Sequence, residues 1–151
     1  MKYIKTYEAK YNELDDILIV SIIDRRNKAA IDLINDPKIN VNYRNSDGYT
    51  PLLVAAIRNN DEVVKLLIDK GADINVLDHR GQTPLMIAAN IPSLKLIQIF
   101  IKYGADWNII DKDKTDFVDR LSPRAIKNIK EWFPNEYKNY ILNKEANKYN
   151  I

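Results

Sequence analysis

Apolar residues along the chain gather in short clusters that come in pairs. Leu18, Ile19, Ile22 and Ile23 are followed by Ala30, Ile31, Leu33 and Ile34. The Ala55-Ala56 pair is followed by Val63, Val64, Leu66 and Leu67, and the Ala88-Ala89 pair by Leu96, Ile97, Ile99 and Phe100. Steps of one, three and four residues predict helices with a wide buried face. Small Ala pairs let neighbouring helices approach closely. Later clusters at Phe117, Val118 and Leu121, at Ile126, Ile129, Trp132 and Phe133, and at Tyr137, Tyr140 and Ile141 predict further helices, the last starting from Asn135. Ile4, Tyr7, Tyr11 and Leu14 have helical spacing and predict an N-terminal cap helix over 1–11.

The punctuation between clusters recurs as regularly. Thr50-Pro51-Leu52 reappears as Thr83-Pro84-Leu85, and Gly71-Ala72-Asp73 as Gly104-Ala105-Asp106, each 33 residues on. Gly48/Gly81 and Asn75/Asn108 keep the same spacing. Thr is a helix N-cap, and Pro at the next position loses no helical hydrogen bond. Gly71 and Gly104 predict left-handed helix stops, and Asp-x-Asn after them favours a turn. A fixed period of this length marks stacked modules that bury their apolar faces only against one another. The chain divides into units 12–44, 45–77, 78–110 and 111–151, all within one domain spanning 1–151.

At these residues the chain resembles the ankyrin repeat family. The family pattern, Asp-x-x-Gly-x-Thr-Pro-Leu-His-x-Ala-Ala and then Leu-Leu-x-x-Gly-Ala-Asp-x-Asn, is matched over 45–110. The family's His is replaced by Leu53 and Met86, so the bonds it makes between repeats are absent. Its inter-helix Gly is replaced by Asn59, which tolerates left-handed backbone, and by Pro92, which requires extended backbone at Ile91. In unit 12–44 only Asn12, Arg25, Asn27, Leu33, Asp36 and Asn42 recur 33 residues on, and Lys38 stands where the joint has Gly. Unit 111–151 is degenerate as well, with Ser122-Pro123 and Pro134 as helix boundaries. The resemblance implies an all-α solenoid of about four helix-turn-helix units with short β-hairpin-like finger loops.

Composition narrows function mainly by exclusion. The chain of 151 residues carries a net charge of +2, which gives no reason to expect nucleic acid or anionic membrane as partner. No apolar run approaches the roughly 20 residues that cross a bilayer. The opening MKYIKTYEAKYNEL lacks the apolar core of a signal peptide, so a cytoplasmic protein is expected, or one in a host cytoplasm if viral or exported. Without Cys there is no disulfide and no thiolate. His79 is the only His and sits in the tip Asp78-His79-Arg80-Gly81, which makes it a solvated loop residue rather than a catalytic base. Asp15-Asp16 read as charges at a helix N-terminus rather than a catalytic pair. No phosphate loop is present. No enzyme activity, cofactor or metal is expected, and the chain reads as a monomer. Trp107, in the slot of Val41 and Ile74, reads as packing over the last unit, and Trp132-Phe133 as core.

Proteins of this family mostly bind other proteins through a concave side made of finger tips and first helices. Position by position, that implies a partner-binding set of Ser46, Asp47, Tyr49, Ile57 and Arg58, then His79, Arg80, Gln82, Asn90 and Ile91, then Lys112, Asp113 and Thr115. Tyr49 with Arg58 and Arg80 supplies the residue types that dominate interfaces. The function expected is a non-enzymatic interaction module, including a viral or bacterial host-directed factor. The alternatives are a bacterial immunity protein that neutralises a cognate toxin and, remotely, an enzyme with a cryptic site.

Overall fold

Thr50 and Thr83 set the register of the two central units. Each lies in extended backbone, and its hydroxyl accepts from the N–H three residues on, Leu53 at 3.3 Å and Met86 at 3.2 Å. Pro51 and Pro84 then open the helices. The protein is described by a computed structural model that covers residues 14–91 and 93–149. The expected cap helix over 1–11 lies outside the described residues. Among them are eight α-helices: α1 Leu14–Ile23, α2 Asn27–Ile34, α3 Pro51–Ile57, α4 Asp61–Asp69, α5 Pro84–Asn90, α6 Leu94–Lys102, α7 Pro123–Trp132 and α8 Pro134–Tyr149. A single 3-10 turn, Val118–Arg120, lies between α6 and α7, and no strand occurs among the described residues.

The helices form two layers. The inner one stacks α1 on α3 on α5, with the 3-10 turn beyond α5; the outer one stacks α2 on α4 on α6. α3 and α5 each lie between two inner neighbours and against an outer partner, so Leu52 through Ala56 and Leu85 through Ala88 are all buried. Buried Val63, Val64 and Leu67 of α4 and Leu96, Ile97 and Phe100 of α6 complete the core from the outer side. Each fully buried Leu or Ile contributes about 1.5–3 kcal/mol relative to exposure. The core is therefore a continuous seam between layers.

Helix ends repeat as closely as helix starts. Gly71 has φ +87°, its N–H donates to Ile68 O at 2.9 Å, and Ala72 N donates to Leu67 O at 2.9 Å. This pair of bonds satisfies carbonyls that the helix leaves free, and it requires the left-handed residue between them. Gly104 and Ala105 repeat it on α6. The first unit does not. Lys38 is not left-handed, and α2 instead ends in a turn where Asp36 Oδ1 accepts from Lys38 N at 2.9 Å. Asn59 has φ +53° and Ile91 is extended (ψ 140°), as the replacement of the family's Gly requires at each place. The left-handed residue of the first unit is Arg25 at φ +56°, one place earlier in the register.

Side chains tie unit to unit. Asn42 accepts from Asp73 N at 2.7 Å and donates to Gly71 O at 3.0 Å. Its counterpart Asn75 accepts from Asp106 N at 2.9 Å. Asn108, the third in the series, has no further joint to reach and bonds back to Asp106. In the outer layer, Asn60 Nδ2 donates to Asn27 Oδ1 at 2.8 Å, 33 residues away.

The last unit breaks the pattern after its finger. Asp116 stands where the others have Thr50 and Thr83. Its Oδ1 accepts from Val118 N (2.9 Å) and Asp119 N (3.0 Å), while Asp119 Oδ2 accepts from Asp116 N (3.2 Å), a reciprocal cap. The helix so begun stops after the 3-10 turn, so the expected inner helix of a fourth unit is absent. Pro123 is the cause: it drives Ser122 into extended backbone (ψ 154°), and Ser122 then caps α7 by accepting from Ala125 N at 3.2 Å. Pro134 ends α7 and opens α8, one residue ahead of the expected start. Asp116 Oδ2 accepts from Tyr140 Oη (2.7 Å) and Lys144 Nζ (2.8 Å), which pins α8 across the end of the stack. Trp107 is buried there, edge-on to Phe117 at 5.2 Å and tilted against Tyr140 at 6.0 Å. Phe133 is core as expected, whereas Trp132 is 39% exposed: the buried side of α7 runs through Ala125 and Ile129 to Phe133, and Trp132 lies off it.

Candidate functional site: the finger-lined depression

Three fingers project from the inner layer, and one carboxamide or carboxylate shapes each. Asn45 Oδ1 accepts from Asp47 N (3.2 Å) and Tyr49 N (2.9 Å). Asp78 Oδ1 accepts from Arg80 N and Gln82 N, both at 2.8 Å, and Asp111 Oδ1 from Asp113 N and Thr115 N, both at 3.0 Å. The fourth residue of each tip is left-handed: Gly48, Gly81 and Lys114 (φ +65°). Lys114 was not legible as a turn residue, although it lies 33 residues after Gly81. Neighbouring fingers are joined by Lys112 N donating to Arg80 O at 3.0 Å and by Arg44 Nη1 donating to Leu77 O at 3.0 Å. At Gly81 a Cβ would sit 3.4 Å from Lys112 N, so the fingers approach closely at that joint. The fingers are thus stiff in the backbone and free at the side-chain tips.

Beside the first two fingers lies a depression lined by Tyr49, Ile57, Asp78, His79, Arg80, Gln82, Ile87, Asn90 and Ile91. It brings together seven of the expected residues: Tyr49, Ile57, His79, Arg80, Gln82, Asn90 and Ile91. Asp78 and Ile87 also line it; Asp78 was visible as the first residue of a repeat and of the tip that carries His79, but not as part of the binding set. Tyr49 and His79 meet edge to face, with ring centres 6.2 Å apart and planes at 81°. His79 and Arg80 are exposed, Tyr49 and Gln82 half-buried. Ser46, Asp47, Arg58, Lys112, Asp113 and Thr115 do not line this depression. Ser46 and Asp47 are exposed on the first tip, and Lys112 and Asp113 on the third. Arg58 follows α3 half-buried, and its Nε is buried without a hydrogen-bond partner. Thr115 is half-buried, its hydroxyl held on the carboxylate of Asp111.

Arg120 was not among the expected residues, yet it organises the end of this face. Its guanidinium pairs with Asp111 and donates to Thr115 Oγ1 at 3.0 Å and Asn90 Oδ1 at 3.3 Å. The Thr115 N–H holds the Asp111 carboxyl below its ordinary 3.8 against the cost of burial, and the positive charge of Arg120 adds to the effect. Asp111 is therefore an anion that anchors both finger and guanidinium. Periodicity showed Asp111 as a repeat of Asp78 but not the cation it holds, because Arg120 has no counterpart in the regular units.

The chemistry available is that of recognition: an aromatic pair, an exposed guanidinium, two amides and three isoleucines on a stiff frame. Among the described residues no group of three or more His, Asp or Glu is placed to hold a metal ion, and no helix is long and apolar enough to cross a membrane. No curated protein matches the chain. A family model describing three tandem ankyrin repeats matches residues 17–111, more than half of the chain. Repeats of this kind generally mediate protein–protein interaction and are typically non-catalytic. The matched segment coincides with the three helix pairs and with the finger joints that link them, and the chain belongs to the ankyrin repeat family.

Proposed function

We propose that the protein is a non-enzymatic binding module that holds a partner protein on its concave face. The contact is centred on Tyr49, Arg58 and Arg80, with Ser46, Asp47, His79, Gln82, Asn90 and Lys112 around them. The observation that supports this reading is the depression beside the fingers, which carries Tyr49, His79, Arg80, Gln82 and Asn90 of this set. Its lining includes positions that differ between units 45–77 and 78–110, such as Tyr49/Gln82 and Ile57/Asn90, whereas the shared positions Thr50, Leu52, Thr83 and Leu85 are buried in the stack. Stacking therefore leaves the lining free to serve recognition. Tyr and Arg are the anchors most often found at the energetic centre of an interface.

The test is paired affinity capture from the cells in which the chain is made, with the full chain and the double variant Tyr49→Ala, Arg80→Ala as baits. A protein held by the wild type should be lost from the variant. Measured on the purified pair, the double change should cost roughly 2 kcal/mol or more of binding while the melting curve stays near wild type. Equal retention by both baits would rule out this face.

A further inference from the structure

The missing helix of the last unit leaves a hollow. In the 33-residue register, Leu121–Arg124 answer to Ala88–Ile91. In the third unit that stretch runs through the end of α5, but here the backbone turns away at Leu121 and restarts as α7. The end of α5 and the start of α6 thus lose the neighbour that a full repeat would supply. A cavity of about 510 Å³ lies there. Ile91, Leu94, Ile97 and Leu121 form its apolar wall, and Arg120 and Arg124 its charged side. Among the described residues no acidic side chain lines it. Asn90 and Ile91 line this cavity and the finger depression alike, so the two adjoin at the end of α5.

The two arginines differ. Arg120 is already neutralised by Asp111 and fixed by Asn90 and Thr115. Arg124 is exposed in the first turn of α7, and among the described residues no carboxylate pairs with it. The N-terminal end of α7 adds positive potential in the same place. An apolar hollow with an unneutralised cation at its rim is complementary to an apolar side chain beside a carboxylate.

We propose that this cavity is a subsite of the concave face. It takes an extended partner segment in which an apolar side chain, seated against Ile97 and Leu121, adjoins an Asp or Glu that pairs with Arg124. The proposal rests on the reading that the concave face binds a protein, and it adds what that protein must carry.

Random linear peptides displayed on phage, selected on the full chain, test it. Enriched peptides should share an Asp or Glu next to a Leu, Ile, Met or Phe. A synthetic peptide of the enriched sequence should bind Arg124→Glu roughly tenfold or more weakly than wild type, with Arg124→Lys in between. Replacing the peptide's acidic residue by Lys should restore binding to Arg124→Glu. Arg124 is exposed and bonded to nothing described, so an unchanged melting curve should accompany each variant. Selection without an acidic consensus, or equal binding by wild type and Arg124→Glu, overturns the subsite. If in that case Tyr49→Ala, Arg80→Ala still weakens binding, the concave-face reading survives alone. If Arg124→Glu weakens binding and the double variant does not, the subsite stands and the wider face is wrong.

Discussion

The second and third units and the C-terminal end face the same physical demand and meet it differently. Units 45–77 and 78–110 cover each other's apolar faces, so single residues suffice to mark their helix ends: Thr50 and Thr83 to start, Gly71 and Gly104 to stop, and Asn75 to reach the next joint. Among the described residues no further repeat stacks on the far side of the last unit. That unit keeps the finger, with Asp111 and a left-handed Lys114, then replaces stacking by a lid. That lid is α8, held by charge: Lys144 donates to both Asp116 and Asp119 at 2.8 Å, and Tyr140 donates to Asp116. Stacking is degenerate and repeats in sequence, whereas a lid built from one buried carboxylate is a single arrangement with no period.

The largest effect should come from the seam. Phe100 is fully buried in α6 between the layers, and Phe100→Ala should cost about 3–5 kcal/mol in urea unfolding, with all probes shifting together. If it melted α6 alone, the regular units would not be one cooperative body.

Next is the lid. Asp116→Ala removes the acceptor of the Tyr140 hydroxyl proton and of two backbone N–H groups, and should cost about 2–3 kcal/mol. Unlike the core change, it should raise amide exchange across α8 well before α5. Uniform acceleration would show that lid and stack open as one. Then comes Gly71→Val. Nothing lies within 4 Å of the added Cβ, so the cost is conformational, about 1–2 kcal/mol for a branched residue at positive φ. An unchanged melting temperature would remove Gly71 from its role.

Asn75→Ala should cost about 1 kcal/mol for one lost bond across the joint, and Asn108→Ala close to nothing, since Asn108 bonds only within its own turn. Equal costs would mean that the joint bonds are not what separates an inner unit from an end. Smallest is the pH dependence of the lid. Burial disfavours the charged form of Lys144, but its bonds to Asp116 and Asp119 outweigh this and hold it above its ordinary 10.5. Its contribution is complete below that pH and fades as pH rises beyond it. Burial likewise raises Asp119, but the Lys144 bond and charge and the bond from the Asp116 N–H together outweigh it, leaving the group below 3.8; that contribution is lost as pH falls through the lowered value. Stability should therefore be level between about pH 4 and 10 and decline outside, and Lys144→Met should flatten the alkaline arm.

What the sequence made legible follows the same division. Caps, stops and finger tips were visible because each rests on one residue type with one local role, written again 33 residues later. Trp107 could be placed because it fills a slot held elsewhere by Val41 and Ile74. The roles of Asp116 and Arg120 could not be seen. Asp116 bonds to Tyr140, 24 residues on, and Arg120 to Asn90, 30 residues back; both are meetings of elements that occur once. The truncated inner helix was hidden because Phe117, Val118 and Leu121 kept helical spacing while Ser122-Pro123 marked a new start, and the physical conflict was settled by the proline.

The central claim, that the concave face and not the lid meets the partner, is tested most directly by site-specific photo-crosslinking. Benzoylphenylalanine is placed either at His79, exposed beside the depression, or at Leu142, 53% exposed on α8, in the cells in which the chain is made. The account predicts one covalent adduct to a second protein from position 79, diminished by Arg80→Ala, and none from position 142. An adduct from position 142 with none from position 79 would contradict it.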